Sequence, residues 1–191
     1  MPGRQAKVIR PAQLRSLLLH LRHQSDPVRS RAIVLLSLKA GLRAAEIAKL
    51  EWAMVLDATG KVSSSIEIDN HIAKKGSGRR VPMHPELRDT LTMLLRRNGA
   101  NGPVIRSRRG TCMQPNSIVN WFAVLYRELG FDGCSSHSGR RTFITKAARL
   151  IHKTGGSLRD VQLLAGHRSI EVTQSYIDGD TDAQRKLVAL L

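Results

Sequence analysis

Apolar residues recur at three- and four-residue spacing along most of the chain, which predicts a succession of amphipathic helices. The clearest apolar stripes are Leu14, Leu17 and Leu21; Leu87, Leu91 and Leu94; and Ile118, Phe122, Leu125 and Leu129. Prolines at positions 11, 27, 85 and 115 stand where four of these helices would begin, because proline fits a first helical turn. Glycines at positions 41, 99, 130 and 155 stand where helices would end.

One stretch breaks the helical pattern and predicts a β-hairpin. Residues 62–68 alternate as a strand does, and residues 80–83 can return as a second strand that ends near Pro82. The turn between them contains two glycines and carries Lys74 near its tip. These glycines do not make a nucleotide-binding loop, because no Gly-Lys-Ser/Thr sequence follows them. The predicted fold class is therefore α+β, mainly α-helical, with a small antiparallel hairpin.

The charge of the chain indicates a polyanionic partner. Its 191 residues carry 31 Lys and Arg against 15 Asp and Glu, a formal net charge of +16 and a pI near 11.2. Aromatic residues make up only 4%, which argues against stacking on single-stranded bases. The composition therefore favours contacts to the backbone phosphates of duplex DNA.

Cysteines and hydropathy indicate a cytoplasmic protein with no membrane partner. Cys112 and Cys134 lack the spacing of metal ligands, which suits a reducing compartment. No apolar run approaches ~18 residues, so no membrane span is expected. The N-terminus lacks an apolar core after its first basic residue, so no signal peptide is expected either.

The last third of the chain holds the residues with the most chemistry. His137 and Arg140 lie three apart, so a helix would place both side chains on one face. An imidazole beside a guanidinium suits a phosphate that must be gripped while protons move around it. Tyr176 offers a hydroxyl that can attack phosphorus and form a covalent intermediate.

His167 and Tyr176 can serve one site only if the helix breaks between them. Nine residues of continuous helix turn through ~900°, which would place the two side chains on opposite faces. Gly166 can supply the break as a left-handed residue at a helix end. Ser169 can then cap a new helix that carries Tyr176, with Glu171 favourable in its first turn.

At these positions the chain resembles the tyrosine recombinases, or phage-type integrases. Three segments match the C-terminal motifs of that family: His137-x-x-Arg140, Leu164-Ala165-Gly166-His167 and Tyr176. Two upstream segments resemble its first arginine box and its hairpin lysine: Gly41-Leu42-Arg43-Ala44-Ala45-Glu46, and Lys74 placed eight residues before Pro82. The motifs follow the order of the family over roughly residues 10–185.

The resemblance implies the catalytic-domain fold of that family and a way of holding the scissile phosphate. Arg43 and Arg140 would bind its non-bridging oxygens and stabilise the pentavalent transition state. His167 would donate a further hydrogen bond. Glu46, three residues after Arg43, can fix that guanidinium through an ion pair or hydrogen bond and would be structural support.

The resemblance also implies the covalent steps of site-specific DNA recombination. Tyr176 would attack and form a 3′-phosphotyrosine, and Lys74 would protonate the 5′ leaving oxygen. His137 would act as the base. Lys75 is a rival for the role of the lysine, and counting back from Pro82 selects Lys74. No metal is expected, because no compact Asp/Glu cluster suggests two-metal chemistry and positive side chains can do that work instead. Rejoining is expected to need no nucleotide cofactor, because the phosphate ester stays covalently held.

Basic residues around the motifs are expected to contact double-stranded DNA. They are Lys75, Arg79, Arg80, Arg106, Arg108, Arg109 and Arg141. The family implies a homo-tetramer on synapsed DNA and a monomer when free. It also implies a bacterial, phage or plasmid origin and a location at the nucleoid.

The whole chain, residues 1–191, is predicted to be one catalytic domain. Residues 1–10 would be a loose basic lead, and residues 179–191 a tail helix exchanged between protomers as in the family. Only 42 residues precede Arg43, so the usual N-terminal DNA-clamping domain of about a hundred residues is expected to be absent. The chain would be a piece of a longer protein or a natural short form like the fimbrial inversion recombinases, and Met1 favours the second.

Two other functions fit part of this pattern. A type IB topoisomerase uses similar chemistry but relaxes one strand instead of exchanging two duplexes. A DNA-binding regulator with an idle site would bind without forming a covalent adduct. The full set of candidate catalytic residues argues against the regulator, and a supercoil-relaxation assay beside a two-site recombination assay would separate all three functions.

Overall fold

A computed structural model of the chain describes residues 5–73, 76–177, 185, 188–189 and 191. Its α-helices are α1 (Pro11–His20), α2 (Pro27–Lys39), α3 (Ala44–Lys49), α4 (Pro85–Asn98), α5 (Pro115–Glu128), α6 (Ser138–Leu150), α7 (Leu158–Ala165) and α8 (Ile170–Gln174). Short 3₁₀ turns cover Leu21–His23, Trp52–Met54 and Ile151–Thr154. Two strands, β1 (Ser65–Ile68) and β2 (Arg79–Pro82), form an antiparallel sheet. The predicted fold class, mainly helical α+β with a small hairpin, is confirmed.

Local sequence signals explain where the helices begin. Proline occupies the first turn of α1, α2, α4 and α5, as predicted. The Asp26 carboxylate accepts a hydrogen bond from the backbone N–H of Arg29 at 3.0 Å and caps α2. At the start of α7, the backbone N–H of Ser157 donates to the Asp160 carboxylate at 2.8 Å.

Helix α2 lies at the centre of the main core. Its residues from Ala32 to Leu36 are at most 1% exposed, as expected of a helix that is covered on all sides. It packs against α4 and α6, while α3 packs against α5. Gly41 follows α2 with a φ of 65°, and a Cβ there would overlap the ring of Phe143 on α6. This close approach brings α6 next to the segment that leads to Arg43.

The predicted hairpin is present, but its first strand is shorter than expected. The register pairs Ser65 with Pro82 and Ile68 with Arg79. Val62 lies outside β1 because it pairs with Leu56 in a separate bridge that closes the turn before the strand. The strand start predicted at residue 62 is therefore wrong. Lys74 and Lys75, predicted for the hairpin turn, lie outside the described residues.

The segment before α1 is held in place from residue 7 onward. The backbone N–H of Lys7 donates to the Gly133 carbonyl at 3.0 Å, and that of Ile9 donates to Thr142 Oγ1 at 2.8 Å. Ile9 is 1% exposed. The prediction of a loose lead is thus wrong for residues 7–9, because Ile9 is an apolar anchor beside α6.

A second, smaller apolar cluster joins α6 to α7. Its buried members are Ile144, Val161 and Ala165, and Tyr176 packs against it. Most of the predicted tail helix, residues 179–191, lies outside the described residues. Among the described helices, none combines the length and the apolar character needed to cross a membrane.

Candidate active site

Arg140 lies at the centre of the site and is 3% exposed. Its Nη1 donates to the carbonyl of Gly41 and its Nη2 to the carbonyl of Ala165, both at 2.6 Å. Nη2 also lies 3.1 Å from Nε2 of His167. Arg140 therefore joins the end of α2 to the end of α7 and to the turn that follows α7.

His167 is held on both of its ring nitrogens. Because a guanidinium can only donate, Nε2 accepts from Arg140, and Nδ1 carries the proton toward Thr173 Oγ1, 2.9 Å away. Burial and the charges of Arg140, Arg43 and Arg79 lower the pKa of His167 to about 4, so the ring is neutral at neutral pH. In this arrangement Nε2 has no proton to donate, so the hydrogen bond predicted from His167 to the phosphate does not fit, and the ring orients Arg140 instead.

Tyr176 lies beside His167, as the break at Gly166 predicts. Gly166 has the left-handed angles φ 62° and ψ 43°, and the two rings stack with centroids 5.4 Å apart. Ser169 occupies the N-cap position of α8, although its side chain bonds Glu171 rather than the helix backbone.

The helix predicted to carry Tyr176 ends before it. Helix α8 stops at Gln174, and the backbone N–H of Tyr176 donates to the Thr173 carbonyl at 3.1 Å. This bond joins residues three apart instead of the four of an α-helix, so the α-helical pattern ends here. Tyr176 therefore stands in the turn after α8, a correction to the predicted helix.

Arg43, Arg79 and Glu46 form an ion-pair network beside Arg140. Glu46 accepts from Arg43 Nη1 at 2.7 Å and from the Arg43 backbone N–H at 2.9 Å, which confirms the predicted contact. Arg79 forms a bidentate pair with the same carboxylate, at 3.0 and 2.9 Å. Burial acts to raise the pKa of Glu46, but the bonds from Arg79 and Arg43 lower it to about 2, so this carboxylate stays charged.

The site carries excess positive charge. Three guanidiniums lie close together, of which Arg43 and Arg79 pair with the one carboxylate of Glu46, whereas Arg140 has no carboxylate partner among the described residues and His167 is neutral. Burial and the neighbouring Arg43 and Arg79 lower the pKa of Arg140 to about 10, which leaves it protonated at neutral pH. An anion such as a phosphate diester would relieve this repulsion.

A cleft of about 330 Å³ opens in front of Tyr176 and is also lined by His137, Arg140 and Arg141. His137 is the exposed N-cap residue one position before α6 begins, and it lines the same cleft as Arg140. The guanidinium of Arg141 lies 5.9 Å from the centroid of the Tyr176 ring and bonds the side chain of Gln5. The predicted convergence of His137, Arg140 and Tyr176 is therefore present.

The other predicted DNA contacts divide into two groups. Arg80 is 69% exposed on β2, Arg108 and Arg109 line a larger cleft of about 990 Å³, and Arg106 lines a separate cleft of about 350 Å³. Arg80, Arg108 and Arg109 are exposed and accessible to a duplex, whereas Arg106 is half-buried and its Nη2 donates to the Asn101 carbonyl at 2.7 Å. Arg79 is 5% exposed, so a direct contact to DNA does not fit its position.

Sequence reasoning missed the internal role of Arg79 and the contact of Thr173 with His167. Thr173 is fully buried and lies six residues from His167. Neither residue is part of a motif, and no spacing along the chain relates Arg79 to Glu46, 33 positions away.

Comparisons of the sequence with known proteins agree on one protein family. A sequence model described as the phage integrase family matches residues 7–182. The tyrosine recombinase XerC of Rickettsia canadensis (strain McKiel) is 29% identical over 154 residues, which cover 78% of this chain and 47% of that protein. The XerC of Rickettsia prowazekii (strain Madrid E) matches to the same extent. The chain thus spans about half the length of these relatives.

Solved structures share the fold. The crystal structure of XerA recombinase superposes with a TM-score of 0.77 at 22% identity, over 99% of this chain and 66% of that one. The Tn1549 transposon integrase in complex with a circular intermediate DNA gives 0.76 at 19% identity, over 100% and 67%. A lambda integrase dimer bound to a COC′ core site gives 0.71 at 18% identity, over 93% and 49%.

Proposed function

We propose that this chain, which belongs to the phage integrase family, is a site-specific DNA recombinase that cuts and rejoins duplex DNA through a 3′-phosphotyrosine. The observation that carries the proposal is the convergence of Arg140, His167 and Tyr176 on one site of excess positive charge, with Arg43 beside it. Such a site suits a phosphodiester that is held by guanidiniums while a nearby hydroxyl attacks it.

The reaction is a pair of transesterifications. The Tyr176 oxygen attacks the scissile phosphorus, the bond from phosphorus to the 5′ oxygen breaks, and a phosphotyrosine forms. His137 takes the proton of the tyrosine hydroxyl, and Lys74 gives a proton to the 5′ oxygen that leaves. Attack by the 5′ hydroxyl of another strand reverses these steps and restores the diester and the tyrosine.

Arginines supply the charge that this chemistry needs, and we assign the reaction no metal ion. Arg43, 21% exposed, and Arg140 would each bind a non-bridging oxygen, while His167 keeps Arg140 oriented. Their planar, permanently charged groups stabilise the charge that builds on the phosphoryl oxygens in the transition state.

Duplex DNA is the proposed partner. The Tn1549 integrase is described in complex with a circular intermediate DNA, and the lambda integrase with a core site. The present chain would be a monomer when free and a tetramer on two synapsed sites. It would act as one catalytic unit, and residues 179–191 would be exchanged between neighbouring protomers.

A search for covalent protein–DNA adducts tests this function. The chain is incubated with sheared genomic DNA from its source, and protein-linked fragments are isolated under denaturing conditions and sequenced. A recurrent junction would support recombination and supply the target duplex. Exchange between two such sites, without relaxation of supercoiled DNA that lacks them, separates a recombinase from a topoisomerase. Binding with no adduct would contradict both.

The lysine predicted for the hairpin should be essential for ordinary DNA. We expect Lys74→Ala to slow adduct formation by about 10²–10⁴-fold, the usual contribution of a general acid. A 5′-bridging phosphorothiolate has a leaving group that needs no proton, so it should largely restore cleavage by this variant. Single-turnover adduct formation on the two substrates measures the effect.

Lys75→Ala is the matched control for that experiment, because the two lysines are neighbours. It should leave the cleavage rate of bound DNA close to that of the wild type. If Lys75→Ala, and not Lys74→Ala, is slow on ordinary DNA and restored by the phosphorothiolate, the assignment of the lysine is wrong.

DNA binding by the chain should depend steeply on salt. Its charge of +16 implies that affinity comes mainly from phosphate contacts, each of which releases counterions. If six to ten phosphates are neutralised, we expect affinity to fall by about 10³–10⁵-fold between 50 and 200 mM salt. Fluorescence anisotropy with a labelled duplex measures this slope, and tight binding that is insensitive to salt would contradict the proposed mode.

A further inference from the structure

Arg79 begins β2 but points into the protein. Its side chain is 5% exposed, and all three guanidinium nitrogens donate to internal acceptors. Two of these bonds go to Glu46, and Nε donates to the Leu164 carbonyl at 2.9 Å. A strand of the hairpin is thereby tied to α3 on one side and to the end of α7 on the other.

Glu46 connects Arg79 to Arg43, the residue proposed to bind the phosphate. Oε1 of Glu46 accepts from Arg79 at 3.0 Å and from Arg43 at 2.7 Å, so the two arginines share one oxygen. A bidentate pair between guanidinium and carboxylate fixes the plane of both groups. The orientation of Arg43 therefore depends on the carboxylate that Arg79 holds.

Through its bond to Leu164, Arg79 also contacts the end of α7, directly before the turn that carries His167. A Cβ added to Gly166 would lie 2.9 Å from Cδ of Arg79, so the stem of the arginine rests directly on this glycine. The next carbonyl, that of Ala165, accepts from Arg140. The turn between α7 and α8 is thus held from one side by Arg79 and from the other by Arg140.

Stability alone does not account for this arrangement. A buried carboxylate needs one guanidinium to be neutralised, and a second one adds uncompensated charge, which is unfavourable in a protein interior. Excess positive charge is favourable where an anion binds. Arg79 lies between α3, which carries Glu46, and the end of α7, so its charge is placed beside the proposed phosphate site.

We propose that Arg79 is a positioning residue for strand transfer, which locks Arg43, through Glu46, to the Gly166–His167 turn, so that the phosphate meets a preformed pocket. This role rests on the proposed function, because it presupposes attack by Tyr176. Arg79 itself touches neither DNA nor the reacting atoms.

The Arg79→Lys variant tests this role, because lysine keeps the charge but cannot bond Glu46 twice and Leu164 at the same time. On the duplex recovered from the adduct search, single-turnover adduct formation should fall about 100-fold, the loss expected from a small misplacement. The dissociation constant for that duplex should change by less than about threefold, because binding and positioning are separable. The phosphorothiolate substrate should not restore the rate, because the affected contacts hold the phosphate rather than protonate the leaving group.

Arg31→Lys is the matched control, since Arg31 pairs with Glu86 between α2 and α4, away from the site. It should cleave at the wild-type rate, and thermal unfolding should show both variants folded at the assay temperature. Wild-type cleavage by Arg79→Lys, full rescue by the phosphorothiolate, or a loss that only follows the unfolded fraction would each overturn the proposal.

If Arg79→Lys does not fold, Glu46→Gln tests the same link between Arg79 and Arg43, because Glu46 bonds both arginines. Glutamine keeps the shape and one acceptor oxygen, so the same slow adduct formation is expected, and a wild-type rate would refute the role of Arg79. An absent adduct with the wild-type chain would contradict the proposed function and with it this role. A wild-type adduct together with normally active variants would contradict the role of Arg79 alone.

Discussion

Tyr176→Phe should abolish the covalent protein–DNA adduct entirely, because it removes the only atom proposed to attack phosphorus. The change deletes one hydroxyl and keeps the ring, which stacks on His167 with centroids 5.4 Å apart. The fold and the DNA affinity should therefore remain those of the wild type. Denaturing gels of the variant with the target duplex, and mass spectrometry of the wild-type adduct, measure the two parts of this expectation.

Tyr126→Phe is the matched control, since the chain has only two tyrosines. Tyr126 is 2% exposed on α5, and burial raises the pKa of its hydroxyl. That hydroxyl has no hydrogen-bond partner among the described residues, so its loss should cost little stability. Adduct formation by Tyr176→Phe, or a nucleotide attached to the peptide that contains Tyr126, would refute the assignment of the nucleophile.

Much of the fold could be predicted because its signals are local. Proline and apolar spacing marked α1, α2, α4 and α5, and the left-handed Gly166 marked the break before α8. The start of β1 was missed because Val62 is apolar and buried for another reason, its bridge to Leu56. Apolar character along the chain does not distinguish a strand from a buried turn.

The candidate site could be predicted only where its parts are near in sequence or belong to a motif. Arg43 and Glu46 lie three residues apart, and their contact is present as expected. Arg79 was predicted to be a basic surface residue, because its burial depends on a carboxylate 33 positions away that the sequence pattern does not reveal. Its neighbour Arg80 has the same charge and is 69% exposed, so only the direction of alternate side chains along β2 separates the two.

Which ring nitrogen of His167 carries the proton could not be predicted from the sequence either. A histidine in a phosphate site suggests a donor, whereas the nitrogen that faces Arg140 must accept. Its lowered pKa follows from burial and from three arginines that come from distant parts of the chain. The role of the ring as a support for Arg140 therefore appears only in three dimensions.

That support makes Arg140 the residue whose replacement should cost most after Tyr176. Arg140→Lys keeps a positive charge, but an ammonium cannot bond the carbonyls of Gly41 and Ala165 and still present a planar fork to the phosphate. We expect a loss of about 10³–10⁵-fold in single-turnover cleavage, the range measured for arginines that stabilise phosphoryl transfer. The control Arg31→Lys should remain active, and Arg140→Lys should still bind the target duplex, since most phosphate contacts are retained. Cleavage within about tenfold of the wild type would contradict the central place of Arg140, because a group that stabilises the transition state contributes far more.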